Sequence, residues 1–428
     1  MRKLFRLFKF GLLIAAVLVF GAYLLLWWWP LRDPHPKPQE VHGILAIRNV
    51  RVFASPDAPV LEHATILVRD GVIAAVGTEL AVPPGAQVIA CDGCAVLAGF
   101  WNTHVHFTEE KWSNAAHKAA SELDGSLADM FVSRGFTTVV DAGSNPLNTI
   151  SLRRRIEASE LKGPAIYTAL RGLYPPNGIP YYLAGSMPFW VKKWFIWQPD
   201  DPEQAAGMVE RNIAQGADLL KLFTGSYVAR GKVLPMPVAI AQRAAQVAHQ
   251  HGQLVYSHPS DLAGTKVAMD AGVDVLAHAP DTTDGIDTEL LKGVVKRRMA
   301  MIPTLKMFGT TVTKKSAYLD PIYSVVREFH GLGGELMFGT DVGYMTDYSI
   351  EDELRALQEC GLTPKGVLRM LTTAPAERFR VAAAKGTIEA GKLADLVIVD
   401  GDPERDVIAL TRVRFTIRNG RVIYAKAP

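Results

Sequence analysis

Five metal-binding side chains and one lysine recur along the chain at the ends of short apolar runs. His104-Val-His106 closes the run that begins Val96–Asn102, and Lys221 stands inside Leu-Leu-Lys-Leu-Phe. His258 follows Leu254–Ser257, His278 follows Val273–Ala277, and Asp341 follows Leu336–Phe338. Residues two apart on a strand face the same side, so His104 and His106 can address one metal together. Neutral imidazoles and a carboxylate are ligands that Zn²⁺ prefers. A lone histidine is more often a satisfied core or surface group, and only the ordered set points to a metal centre. Lys221 is the odd member, because an ammonium between leucines and a phenylalanine is costly to bury. Either it snorkels or is paired, or its amine carries CO₂ as a carbamate. That group is a carboxylate and could bridge two cations.

The elements that must position these residues follow from the pattern of apolar runs. Val96–Asn102, Thr137–Ala142, Ala165–Ala169, Asp218–Phe223, Leu254–Ser257, Val273–Ala277, Ala300–Pro303 and Leu336–Phe338 are strand candidates separated by helix-length connections. Eight such units fit an α/β chain folded as a (β/α)₈ TIM barrel, whose chemistry lies at the C-terminal ends of the strands. Residues 43–98 read as strands, with turns at Asp70-Gly71, Pro83-Pro84 and Asp92-Gly93. Strand signals return at Leu396–Val399, Arg414–Arg418 and Arg421–Tyr424. The two β pieces are expected to pair into one small β-sandwich. The organisation is then 1–39 membrane anchor and Pro-rich linker, 43–98 first β piece, 99–379 barrel, and 380–428 second β piece.

The order and spacing of these motifs resemble the metal-dependent amidohydrolase superfamily, in its imidazolonepropionase-like and Xaa-Pro dipeptidase-like branch. The resemblance is carried by Gly99-Phe-Trp-Asn-Thr-His-Val-His106, Gly135-Phe-Thr-Thr-Val-Val-Asp-Ala-Gly143, Asp218-Leu-Leu-Lys-Leu-Phe-Thr-Gly225 and Ala271-Gly-Val-Asp-Val-Leu-Ala-His278. Gly339-Thr-Asp341 and Gly386-Thr-Ile-Glu-Ala-Gly-Lys-Leu-Ala-Asp395 complete it, over about residues 43–428. It implies that His104, His106 and Asp341 hold the more buried of two divalent cations, His258 and His278 the second, and N6-carboxylated Lys221 bridges them. Zn²⁺ is the expected metal. The chain departs from the pattern at Ser260, where relatives often place His or Tyr, and at Ala277, where many have Glu. Tyr227 and Tyr344 are then candidates to polarise the substrate carbonyl, or simply packing tyrosines. Deaminating relatives use His-x-x-Glu after strand 5, and here it reads His258-Pro-Ser-Asp261.

The expected chemistry is hydrolysis of a C–N bond by a hydroxide shared between two cations, with Asp341 moving the proton. A dipeptide or N-acyl amino acid is the expected small-molecule substrate. The alternatives are hydrolysis of a cyclic amide or lactone and, from another class, a non-enzymatic membrane-tethered binding protein. Arg171, Arg230, Lys232 and Lys306 follow strands 3, 4 and 7, and one of them could receive a substrate carboxylate. The long connection 171–201 holds eight aromatic rings, among them Tyr174, Tyr181, Tyr182 and Trp197. It suits a lid, a membrane-resting patch or a plain cover.

Composition limits the partners. Hydrophobic residues are 49% and charged ones 21%, which excludes a disordered chain. The net charge of +3 is concentrated in residues 1–38, where six basic residues face Asp33 alone, so the body is near neutral and nucleic acid is excluded as a main partner. Phe10–Trp29 is a charge-free 20-residue run ending in three tryptophans and preceded by four basic residues. It reads as an uncleaved anchor or, alternatively, a cleaved signal peptide. Either way the body is expected in a bacterial periplasm, on the inner membrane in the first case. Three cysteines exclude a disulfide scaffold. Cys91 and Cys94 flank a turn, and a cross-strand disulfide and two buried thiols are both open, with a zinc half-site less favoured. A homo-oligomer also stays open.

Overall fold

The computed structural model describes residues 11, 13–19, 21, 33–184, 196–311 and 315–427. Of the Phe10–Trp29 run, Gly11, Leu13–Val19 and Gly21 are helical, and the rest lies outside the described residues. Among the described residues no helix is long and apolar enough to cross a membrane.

Two β pieces far apart in sequence share one sheet. The first contributes β1 (Ile44–Phe53), β2 (Leu61–Arg69), β3 (Val72–Gly77), β4 (Gln87–Ala90) and β5 (Ala95–Ala98). β2 and β3 turn at Asp70-Gly71, both with positive φ, the turn form that suits a tight hairpin. The second contributes β15 (Leu396–Val399), β16 (Val413–Arg418) and β17 (Arg421–Ala425). The order is β17-β16-β15-β5-β1-β2-β3, with β4 also on β1. The joint is β5 against β15, antiparallel, with Ala95 opposite Val399 and Ala98 opposite Leu396. Cys91 and Cys94 form a disulfide. It does not cross a hairpin: β4 and β5 both run parallel to β1, on its residues 45–48 and 51–53, and the bond closes the turn between them.

The barrel strands are β6 (Phe100–Val105), β7 (Phe136–Asp141), β8 (Ala165–Thr168), β9 (Leu219–Leu222), β12 (Leu254–Ser257), β13 (Val275–Leu276) and β14 (Ala300–Met301). The run expected as Val96–Asn102 is split at Gly99, giving β5 to the sheet and β6 to the barrel. A side chain at 99 would sit 2.1 Å from Thr137 Oγ1, so the crossing needs a glycine. The eighth position is no full strand. It is reduced to backbone bridges, Leu336 on Met301 and Val342 on Val105, with Thr103 N donating to Phe338 O at 2.8 Å. Leu173 on Leu222 and Asp218 N on Thr168 O (2.8 Å) close the other seam. Trp101, Val140, Ala169, Leu219, Tyr256, Val275, Ala300, Ile302 and Met337, from these strands or directly after them, cluster in the barrel interior. A hairpin unforeseen in the sequence, β10 (Gly225–Ala229) with β11 (Lys232–Pro235), stands on the loop after β9.

The segment 34–39 docks where helices return to strands. Arg153 donates to Pro34 O at 2.8 Å, Gln39 N donates to Glu157 O at 2.8 Å, and Pro34 packs on Gly216. Glu157 ends a helix and Gly216 precedes β9, so this is the N-terminal face of the barrel, away from the strand ends that carry the histidines.

Candidate metal centre

All six residues singled out at the strand ends converge. His104 lies in β6 and His106 directly follows it, Lys221 lies in β9, His258 directly follows β12, and His278 stands two residues beyond the end of β13. Asp341 comes from the bridged eighth position. Nε2 of His106 lies 3.0 Å and Nε2 of His104 3.4 Å from Asp341 Oδ1. The rings of His104 and His278, and those of His278 and His258, have centroids 4.4 Å apart. Lys221 is 1% exposed and its Nζ lies 5.5 Å from the Phe223 ring centre.

The first strand end is held by its neighbours. His106 Nδ1 meets Gly143 O at 2.6 Å, which fixes Nδ1 as the donor and leaves Nε2 with its lone pair. Gly143 is itself held by Asp141, whose Oδ1 accepts from Gly143 N at 3.1 Å and Ser144 Oγ at 2.6 Å. Oδ2 of Asp141 accepts from Thr168 at 2.7 Å and Thr149 at 3.2 Å. Asn102 donates to Thr340 Oγ1 at 2.7 Å and accepts from the backbone of His104 (3.3 Å) and Thr340 (3.2 Å), tying β6 to the Asp341 loop. Gly343, at φ 100°, lets that loop approach, since a side chain there would sit 2.0 Å from His106 O. On the far side Thr304 donates to Pro303 O (2.8 Å), so its oxygen accepts from His278 Nδ1 (2.7 Å) and Nε2 of His278 is left free. Asn102 and Asp141 stand inside the motifs quoted from the sequence but had no role assigned there, and Thr304 was not singled out. For Asp141 the signal was there: an acid closing an apolar run, as in the ligands.

The backbone is strained at this rim. Leu170, Ser260, Thr304 and Asp341 have φ of 54°, 59°, 52° and 59°, and each follows a barrel strand. Left-handed φ in non-glycine residues is uncommon and gathers where function over-determines geometry.

Electrostatics favours ligands over charges. Burial, helped by Lys221 and neighbouring rings, holds His104, His258 and His278 well below the usual histidine range, so they are neutral. Burial also pulls Lys221 down to about 7, with Asp341 opposing. Burial would lower His106, but the adjacent Asp341 carboxylate raises it. Both ring nitrogens of buried His104 and Oδ1 of Asp341 have no hydrogen-bond partner. Buried polar atoms are seldom left so. One ligand atom each from His104, His106 and Asp341 lies within 4.8 Å of the others, so the donor set and its orphaned atoms fit a divalent cation.

The other expected contacts are placed elsewhere. Arg171 lies over Trp197 (5.0 Å) and donates to Gln215 at 2.6 Å. Lys306 is buried and donates to Asp347 O and Ser349 O. Arg230 and Lys232 are exposed at the hairpin tip. Tyr344 is 50% exposed and faces Tyr182, with ring centres 5.9 Å apart. Tyr227 reaches Thr282 Oγ1 at 2.6 Å. Asp261 is spent as a helix N-cap, accepting from Gly264 N at 2.8 Å. In the 171–201 connection Tyr174 stacks on Phe223 at 4.0 Å, and residues 185–195 lie outside the described residues.

A barrel with histidines, a buried lysine and an aspartate at its strand ends defines a metal-dependent hydrolase scaffold. The model of the amidohydrolase family matches residues 95–423, and the chain belongs to that family. It is an enzyme acting on carbon–nitrogen bonds. It is 24% identical over 401 residues to an imidazolonepropionase of Thermoplasma acidophilum, covering 86% of this chain and 91% of that protein. It is 22% identical over 386 residues to an adenine deaminase of Rubrobacter xylanophilus, covering 90% of this chain but spanning only 58% of that protein. Among solved structures, a Xaa-Pro dipeptidase with bound methionine superposes with a TM-score of 0.77 at 22% identity, over 90% of this chain and 100% of that one. A prolidase complexed with N-methylphosphonate-L-proline does so at 0.74 and 21%, with the same coverage.

Proposed function

We propose that this protein hydrolyses an amide bond of a small substrate, a dipeptide or an N-acyl amino acid, at a centre for two divalent cations, with Zn²⁺ expected. The observation that carries the reading is the convergence of unpartnered His104 nitrogens and Asp341 Oδ1 beside Lys221, His258 and His278. His104, His106 and Asp341 would hold one cation and His258 and His278 the other. When bound, such cations supply a water acidified from about 15.7 toward about 7 and a charge to polarise the carbonyl.

The chain's own residues do the rest. Lys221, brought to about 7 by burial, is partly free amine at neutral pH. A free amine adds to CO₂, forming an N–C bond and losing a proton, and the resulting carbamate would bridge the pair. Asp341 takes the proton of the attacking water at its carboxylate and passes it to the leaving nitrogen. Asp141 and Thr304 hold His106 and His278 in the ligating tautomer. Ring deamination is disfavoured, because Asp261 is committed to a helix cap. Opening of a cyclic amide or lactone is the second reading, supported by likeness to imidazolonepropionase along most of that protein.

The reading also puts the body in the periplasm on an N-terminal anchor. The charge-free run Phe10–Trp29 and the Cys91–Cys94 disulfide, which persists in oxidising compartments, support this. The test is metal content per full-length chain, purified in detergent with bicarbonate and without chelators, followed by hydrolysis of dipeptides, N-acyl amino acids and lactams. Two equivalents with dipeptide or N-acyl turnover are expected. One equivalent and lactam turnover would favour ring opening. No metal, even after adding it back, would overturn the reading.

A further inference from the structure

One acid beyond the end of β13 pairs with no cation among the described residues. Asp281 stands three residues beyond His278, and the backbone N–H groups of Asp281 and Thr282 donate to Ser260 O at 3.1 and 3.0 Å. That fixes the loop over the end of β12. Tyr318 donates to Asp281 Oδ2 at 2.7 Å, and the Tyr227 hydroxyl bonds Thr282 Oγ1 beside it at 2.6 Å. No arginine, lysine or histidine pairs with Asp281 among the described residues. Its charged neighbour is Asp261, a like charge. A carboxylate offers about four acceptor positions, and the Tyr318 phenol leaves room for further donors.

The acid belongs to the same opening as the centre. The Tyr182 ring faces Tyr344, three residues beyond Asp341, with centres 5.9 Å apart. Phe308 joins the two sites, 6.2 Å from the His278 ring and 6.3 Å from the Tyr318 ring. Of the cations expected in the sequence to take a substrate carboxylate, Arg171 is engaged on Gln215 and Lys306 on Asp347 and Ser349, while Arg230 and Lys232 are exposed at the hairpin tip. A carboxylate set among tyrosines can receive an ammonium through charge-assisted hydrogen bonds.

We infer that the mouth selects substrates bearing a cationic amine, with Asp281 as the counter-ion and Tyr182, Tyr227, Tyr318 and Tyr344 as the walls. This rests on the C–N hydrolase reading and names its substrate class. Paired substrates test it: alanyl and lysyl amides with free amines, each beside a twin acetylated at every amine, on full-length metal-loaded protein. At least one amine-bearing member is expected to exceed its twin about tenfold or more in kcat/KM. Asp281→Asn should reduce that ratio to about two or less, while Tyr318→Phe, which keeps the acid and the ring, retains it. Turnover with a ratio near one, or a ratio unmoved by Asp281→Asn, overturns the inference and leaves the hydrolase reading standing. If no amide is cleaved, the hydrolase reading fails, and the same protein is titrated with benzylammonium and with benzoate by intrinsic fluorescence. Tighter ammonium binding that Asp281→Asn weakens tenfold supports the receptor; equal response to both ions overturns it.

Discussion

His104, His106 and Asp341 sit at the seam between β6 and the eighth position, where Asp141, Gly143, Asn102 and Thr340 brace them. Lys221, His258 and His278 come from three neighbouring strands, and there Thr304 is the bracing partner, on His278. The first half is wired in place by backbone and side chains before any ligand arrives. Under the proposed function the second would depend on what the Lys221 amine carries. A two-cation centre as proposed would then bind its first cation by preorganisation and make the second conditional on a chemical change at one nitrogen.

The comparison is broken most severely at Asp341. Asp341→Asn should lower kcat by about a thousandfold, the loss of a proton-transfer group, while elemental analysis still finds part of the metal. Near-wild-type turnover would remove Asp341 from the reaction. The second half is addressed by Lys221→Met, which should drop metal content from two equivalents to one.

The same variant carries a pH signature in the metal-free, bicarbonate-free protein. The lysine is lowered to about 7 when folded and is near about 10.4 when unfolded. Between these values the unfolded chain holds a proton that the folded one lacks, so stability should rise as pH climbs from about 7 to about 10. Denaturation midpoints at pH 7.5, 8.5 and 9.5 should show that slope in the wild type and a flatter one in Lys221→Met.

How far the sequence revealed this site depends on what each residue contrasts with. A histidine or lysine ending an apolar run stands out, because burial there is costly without a role. Asp141 stands out in the same way, and its function emerges only once Gly143 is seen between it and His106. Asn102 and Thr304 are small polar groups inside apolar stretches, which local packing explains equally well. The apolar run Leu336–Phe338 marks the eighth position, but it forms isolated bridges rather than the strand expected, and the chain then enters the Asp341 loop with φ 59° at Asp341. Arg171 follows its strand as expected, but side-chain direction is set by Trp197 and Gln215, which lie far along the chain.

Smaller effects sharpen the contrast. Asp141→Asn weakens the brace rather than the ligand, so metal affinity of the first half should fall about tenfold to a hundredfold, read by competition with a chelator. Replacing Cys91 and Cys94 by alanine lies outside both halves. It should cost about 2 kcal/mol of stability, as for a short cross-linked loop, with metal content unchanged.

The docked segment 34–39 gives the molecule a direction. It rests beside Glu157 and Gly216, on the face opposite the histidines. If the residues before it span a bilayer, the barrel stands on that surface with its opening turned toward the aqueous side. Substrate would then arrive by diffusion through bulk solution rather than by sliding out of the lipid, and Tyr174, Tyr181 and Tyr182, which follow β8 at the open end, would meet it there.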